Sequence, residues 1–348
     1  MTWSSTPPDT DPVLAGWSGR RALVTGGAGF LGGTLSQLLL RSGADVRVLD
    51  IGRGSLPGVE YLQGSITDEQ AVARSVEDCD TVFHLAARVR DYGSESAFES
   101  ANVRATELLL AASQAAGVRR FVFMSSLAAT DYRLGAAAGP TGLQESEART
   151  GQAMGAYGRS KRTGEWRVAT AHRGTLTTTI VRPGMFPYGP GDHTSFRPMA
   201  DAMCQRVPLR VGDGLNVLNT AYAPELARGL ALCGLLTQAG GEIVHLADPE
   251  PICWDQIYSA MARGLGVDEP PLRWPAAAIM ALAGPIERLW QTLAPAGMPP
   301  VTQYRAFAAT STMYVSTAKA ERLLGFRARV SFAEGLAQTL AWYRQLRP

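Results

Sequence analysis

The chain has 348 residues, 46% of them hydrophobic and 18% charged, with a formal net charge of +2. That composition supplies a full apolar core and excludes disorder as the general state. A near-neutral balance without a Lys/Arg run lacks the footprint of a nucleic-acid binder, and the widely spaced Cys79, Cys204, Cys233 and Cys253 form neither a zinc-type pair nor a disulfide framework.

Residues 1–18 read as a polar extension rich in Pro and Ser, without the basic and apolar regions of a signal peptide. From residue 21, short apolar runs alternate with longer amphipathic ones, the signature of βαβ units. Strands are expected at 22–25, 45–49, 59–62, 81–86, 120–125 and 177–182, and helices at 30–41, 68–76, 98–116 and 152–171. Crossover handedness assembles them into a doubly wound parallel sheet, a Rossmann-like α/β domain over 19–186. After Pro183 the alternation stops. An isolated strand at 243–247 and helices at 223–236, 317–324 and 332–346 read as a smaller C-terminal substrate-binding lobe over 187–348, partly interleaved with the first domain. The apolar stretch 276–284 is far shorter than the ~20 residues a bilayer helix needs. A cytoplasmic protein without stable membrane insertion is the expectation.

The first strand runs into Thr25-Gly26-Gly27-Ala28-Gly29-Phe30-Leu31-Gly32 and then a helix. Glycines at this point allow a tight turn and close approach of a pyrophosphate, which the first helical N–H groups bind. Gly26, Gly29, Phe30, Leu31 and Gly32 are therefore assigned to a dinucleotide. Asp50, 18 positions beyond Gly32 at the end of the second strand, can accept hydrogen bonds from the ribose hydroxyls, which favours NAD over NADP. Arg53 stands near enough to clamp a 2′-phosphate, so either cofactor is compatible.

Only two of the 33 basic residues that are Lys or Arg are lysines, Lys161 and Lys319. Ten tyrosines and two lysines give about 0.06 chance Tyr-x-x-x-Lys pairs, so Tyr157-Gly158-Arg159-Ser160-Lys161 is a sharp motif. The two side chains share a helix face. A phenol with a pKa of about 10 becomes an effective general acid or base when a neighbouring cation draws it toward neutrality, a change worth ~4 kcal/mol. Tyr157 and Lys161 are expected to form this pair, touching the cofactor as well. Ser126, with Ser125 in support, ends an apolar strand on the crevice side and is expected to hold the reacting oxygen. No metal site is expected.

These residues resemble the extended short-chain dehydrogenase/reductase family from about residue 19 to 344. The markers are TGGAGFLG at 25–32, HLAA at 84–87, SS at 125–126, YGRSK at 157–161 and RPGMFPYGPGD at 182–192. The resemblance implies Ser126, Tyr157 and Lys161 as catalytic triad, Ala86 and Ala87 lining the cofactor, Pro183 beside the nicotinamide, and a homodimer formed through two helices per subunit. Gly64-Ser65 departs from a frequent Gly-Asp. Nucleotide-sugar epimerases and dehydratases resemble the chain less, since Phe186-Pro187 precedes Tyr188 and Leu218 stands where they tend to carry an Arg for the diphosphate. The 3β-hydroxysteroid dehydrogenase branch is the better match around Val211, Gly212, Asn219, Tyr222, Glu225 and Lys319. It implies an NAD(P)-dependent dehydrogenase or reductase acting on CH–OH groups of a small apolar hydroxy or keto compound, with a β-hydroxy acid that decarboxylates after oxidation as one version. A nucleotide-sugar epimerase or dehydratase, and a non-catalytic cofactor-binding regulator, are the alternatives. Phe186, Trp274, Met280, Trp290, Tyr304 and Phe307 are aromatic or apolar residues of the second lobe able to line a hydrophobic pocket.

Overall fold

A computed structural model describes residues 11–346 apart from 91, 208, 209, 271, 294–298 and 300. Seven strands form one parallel sheet: β1 (Arg21–Thr25), β2 (Asp45–Asp50), β3 (Val59–Gln63), β4 (Thr81–His84), β5 (Arg120–Met124), β6 (Thr177–Pro183) and β7 (Ile243–Leu246), in the order β7-β6-β5-β4-β1-β2-β3. The expected strands and helices fall close to the observed ones, and the helix 30–41 is observed as α1 (Phe30–Arg41). The further helices are α2 (Glu69–Val76), α3 (Ala105–Ala115), α4 (Gly155–Thr170), α5 (Ala223–Leu235), α6 (Trp254–Leu265), α7 (Ala276–Leu293), α8 (Gln303–Thr310), α9 (Ala318–Leu324) and α10 (Phe332–Gln345).

The period-two geometry of a strand sends neighbouring side chains to opposite faces, and β1 shows it. Ala22 and Val24 join Leu35 and Leu39 of α1 and Leu226 and Leu230 of α5 in one core. Leu23 joins Val72 of α2, Leu109 of α3 and Val168 of α4 in the other. A third core, built on Phe186, Tyr188, Phe196, Tyr222, Ile257 and Leu340, holds the C-terminal helices together.

Three departures from the sequence reading have physical causes. The strand expected to be isolated is β7, paired parallel to β6 with Ile243 opposite Ile180 and Leu246 opposite Pro183. Its partner lies some 60 residues away, a distance that local patterning does not register. Residues 1–10 of the expected polar extension lie outside the described residues, and the rest of it is not wholly polar in environment. The turn Pro12–Trp17 buries Trp17 completely against Phe83, at 5.6 Å between rings. The helix expected at 98–116 is interrupted: a short helix, Glu95–Phe98, passes into wide π-type turns over Glu99–Arg104 before α3. Such turns redirect side chains and recur at functional sites. Helix α7 begins at the apolar stretch 276–284, and no helix among the described residues is long and apolar enough to cross a membrane.

Candidate active site

The strand order reverses between β1 and β4, and in an open α/β sheet the crevice at the carboxyl ends of two such strands is the binding position. The glycine turn follows β1 directly. A Cβ on Gly32 would lie 2.1 Å from the Gly26 carbonyl oxygen, so only glycine lets α1 start this close to the turn. Helix α1 begins after Gly29 with no side-chain cap and no acid in its first turn. The N–H groups of Phe30, Leu31 and Gly32 are the first of the helix, without an intrahelical acceptor, and their dipole end favours an anion. Asp50, half-buried at the end of β2, accepts from the Ala28 N–H at 3.0 Å and the Gly52 N–H at 2.8 Å. A carboxylate has about four acceptor positions, so capacity remains for ribose hydroxyls. Arg53 is exposed. These residues fit a dinucleotide.

Opposite the turn, the Ala86 N–H donates to Thr25 Oγ1 at 3.2 Å, with Ala87 next in the chain and half-buried. Pro183 is buried at the end of β6, beside Leu246. Behind them lies a buried polar chain whose donors can be assigned. Thr106 Oγ1 donates to the Asn102 carbonyl at 2.7 Å and so must accept from His84 Nε2, at 3.0 Å. That leaves His84 Nδ1 to accept from Thr25 Oγ1 at 2.8 Å. His84 is thus a neutral Nε2–H tautomer, and burial with the Lys161 ammonium nearby lowers its pKa to about 3. Asn102, brought inward by the π-type turns, accepts from the Arg88 N–H at 2.7 Å and donates to Ser160 Oγ at 2.9 Å, and Ser160 donates to the Tyr157 carbonyl at 2.7 Å. The chain of bonds ties the end of β1 to the helix that carries Tyr157.

Ser126, Tyr157 and Lys161 come together. Ser126 caps a short turn, Leu127–Ala129, accepting from the Ala128 N–H at 3.1 Å. Tyr157 and Lys161 lie in the first half of α4, and that helix can press against the turn because residue 158 is glycine: a Cβ there would lie 2.2 Å from the Ala128 carbonyl oxygen. Ser126 stands near enough to the Tyr157 phenol to favour its ionised form. Lys161 is 3% exposed, donates from Nζ to the Met124 carbonyl at 2.8 Å, and sits 4.8 Å above the Phe123 ring. Burial lowers its pKa to about 8, partly opposed by Glu165.

Burial raises the Tyr157 phenol well above its ordinary value, Tyr304 adds to the rise, and Ser126 opposes it. The protein alone therefore holds Tyr157 protonated, as a proton donor.

Ser125 plays a different part from its neighbour. Its Oγ donates to Glu165 Oε1 at 2.5 Å, and Arg182 grips the same carboxylate through Nε at 2.7 Å and Nη2 at 2.6 Å. Glu165, Asn102 and Tyr132 were not singled out in sequence as site residues. Glu165 follows Lys161 by one helical turn on the same face, a signal that was available; the path of Asn102 into the site depends on the π-type turns. Of the apolar candidates, Phe186 is core, stacked at 6.1 Å on Tyr188, whereas Trp274 and Met280 are exposed at 45% and 41%. Tyr304 and Phe307 both meet Tyr132, the hydroxyls of Tyr132 and Tyr304 lying 3.4 Å apart.

Residues 22–246 match the model of the NAD dependent epimerase/dehydratase family. The chain belongs to this family. It is similar to a 2-alkyl-3-oxoalkanoate reductase of Stenotrophomonas maltophilia, 31% identical with 92% of this chain and 98% of that one covered. It is also similar to a 3 beta-hydroxysteroid dehydrogenase/Delta 5→4-isomerase of Mycobacterium tuberculosis, 32% identical with 94% and 91% covered. Among solved structures, a dTDP-glucose 4,6-dehydratase from Streptomyces venezuelae with NAD and TYD bound superposes with a TM-score of 0.76 at 26% identity, covering 94% of this chain and 98% of that one. As a family member with dehydrogenases and reductases among its named relatives, the chain is an NAD(P)-dependent oxidoreductase acting on hydroxyl or keto groups.

Proposed function

We propose that the protein interconverts a secondary alcohol and a ketone on an apolar, steroid-like or polyketide-like small molecule, with Tyr157 as general acid/base. The observation that carries this reading is the meeting of Tyr157 with the Ser126 turn beside buried Lys161, whose Nζ donates to the Met124 carbonyl at the carboxyl end of β5, next to the strand-order reversal. NAD(P), when bound, supplies or accepts the hydride. Phe30, Leu31 and Gly32 hold its pyrophosphate through their N–H groups, Asp50 its ribose, and Ala86, Ala87, Pro183 and Lys161 its nicotinamide half. Ser126 orients the reacting oxygen, and Tyr157 delivers the proton to it or removes it. One ketone plus one NAD(P)H and one proton gives one alcohol and one NAD(P)+, and the reverse direction balances in the same way.

An apolar substrate is supported by the cluster beside the triad, where Leu127, Leu143, Met154, Met185 and Phe307 gather around Tyr132. A sugar diphosphate is disfavoured by Leu218, which is fully buried, and by Arg210 and Arg228, which are engaged by Asp255, Glu269 and Glu225. A cytoplasmic homodimer completes the proposal: the four cysteines are unpaired, and Trp166 on α4 is 57% exposed.

The test is a panel of apolar ketones and alcohols with both cofactors, read by nicotinamide absorbance. Turnover is expected, and Tyr157→Phe should lower kcat by roughly 10²–10⁴ while dinucleotide affinity stays unchanged. Undiminished turnover in that variant would overturn the assignment.

A further inference from the structure

Beneath the catalytic residues lies a closed ring of bonds that no step of the reaction uses. The Met124–Ser125 peptide is held on both sides: its N–H donates to the Val181 carbonyl at 2.7 Å, and its carbonyl accepts from Lys161 Nζ at 2.8 Å. The Ser125 side chain crosses to Glu165 Oε1 at 2.5 Å, and Arg182, the residue after Val181, takes the same carboxylate through Nε and Nη2. The Glu165 and Arg182 side chains are 7% and 1% exposed. Strands β5 and β6 and helix α4 are thus tied together at one buried carboxylate, directly behind Ser126.

Lys161 and Glu165 are four residues apart on one helix, the spacing at which an ammonium and a carboxylate meet directly. Here both carboxylate oxygens are engaged by Arg182 and Ser125, and the ammonium is bonded to a neutral carbonyl instead. A buried ammonium without a counter-charge is costly. Glu165 supplies that charge, opposing the burial that lowers the Lys161 pKa to about 8. A direct pair would neutralise the ammonium and draw it along the helix, away from Met124 and the site. Of the other groups facing Lys161, Glu165 or Arg182, Tyr157 is held protonated, and burial keeps His84 and His245 neutral, with each pKa lowered to about 3. Arg162 donates to the Ala129 and Gly151 carbonyls at 2.6 Å each, and Glu145 accepts from the His245 N–H at 3.0 Å.

We propose that Glu165 is a positioning residue for Lys161: held back by Arg182 and Ser125, its carboxylate keeps the ammonium charged while leaving it aimed at the Met124 carbonyl and free to serve the site. This rests on the ketone/alcohol reading above and deepens it, since the cation beside Tyr157 then depends on a residue that touches neither substrate nor cofactor. Arg182 is the restraint, because by occupying Glu165 it prevents the direct ion pair. Removing Glu165 and removing Arg182 therefore shift the proton affinity of Lys161 in opposite directions. A ring that only fastened α4 to the sheet would give no such pair of opposite shifts.

The chain's two lysines make the experiment direct. Isotope-labelled lysine gives two Cε resonances in the whole protein, Lys319→Arg leaves one, and its pH titration by NMR reports Lys161 alone. In that background the midpoint is expected to move to lower pH in Glu165→Gln and to higher pH in Arg182→Met, where the released carboxylate closes on the ammonium. The double variant Glu165→Gln/Arg182→Met leaves no unpaired charge in the ring. It should titrate below the parent, as Glu165→Gln does, and it decides the matter should either single variant fail to fold. In each folded variant kcat for ketone reduction should fall by about 10- to 100-fold, the scale of a displaced site group. An unmoved midpoint, shifts of the same sign in the two single variants, or undiminished kcat would overturn the inference. No turnover of any ketone or alcohol by the wild type overturns the function beneath it instead, and the titrations still decide the role of Glu165.

Discussion

Lys161 carries its charge at a cost. It is 3% exposed, and its pKa falls from an ordinary 10.5 to about 8 because burial penalises the ammonium. The unfolded chain therefore binds a proton that the folded chain releases between about pH 8 and 10.5, and stability must rise with pH across that window. At roughly 1.4 kcal/mol per pH unit this amounts to about 3 kcal/mol. Urea unfolding of the wild type and of Lys161→Met should show it: relative to the variant, the wild type should gain about 3 kcal/mol between pH 7.5 and 10.5, and parallel curves would contradict the assignment. The variant should also lose turnover, as the site's cation is gone. Retaining a destabilising cation here, in a chain with only one other lysine, is the pattern of a residue kept for chemistry. The Tyr-x-x-x-Lys spacing was legible in sequence for this reason. The burial that raises the Tyr157 phenol was not, because it depends on tertiary packing and on Tyr304, contributed from nearly 150 residues downstream.

Among elements, the turn between β1 and α1 is the most sharply constrained. Gly32→Ala would put a methyl 2.1 Å from the Gly26 carbonyl oxygen, and neither atom belongs to a flexible side-chain end. Dinucleotide affinity should fall by at least about tenfold in that variant, and calorimetric titration measures it; unaltered affinity would remove the turn from the cofactor site. This element could be read directly, since glycine spacing and strand-to-helix order are local properties. The same holds for α1, whose residues Phe30 to Arg41 matched the expected span. The interruption before α3 was not legible. Nothing in Glu99–Arg104 breaks a helix by composition, and the π-type turns serve to deliver Asn102 to Ser160, a tertiary requirement that overrides propensity.

Over the whole molecule, the parallel sheet was legible up to β6, because each strand there follows a recognisable helical stretch. Its seventh strand and the covering α5 were read into the second lobe, since the chain leaves the sheet after Pro183 and returns only at Ile243. Trp17 was hidden in the same way, by a partner, Phe83, far along the sequence. The nearness of Tyr132 to Tyr304 likewise exists only once the C-terminal part of the chain has folded against the N-terminal part. That arrangement bears on the central claim, that the site performs net redox chemistry on an oxygen-bearing carbon and is not a nucleotide-sugar epimerase or dehydratase using its cofactor transiently. The most direct measurement is stoichiometry with a deuterated cofactor: reduce a ketone with NAD(P)H labelled at the transferring position and analyse the alcohol by mass spectrometry. One cofactor consumed for each alcohol formed, with deuterium on the carbinol carbon, is the predicted result. Conversion of a UDP- or dTDP-sugar without net cofactor consumption, and no label transfer to any ketone, would contradict it.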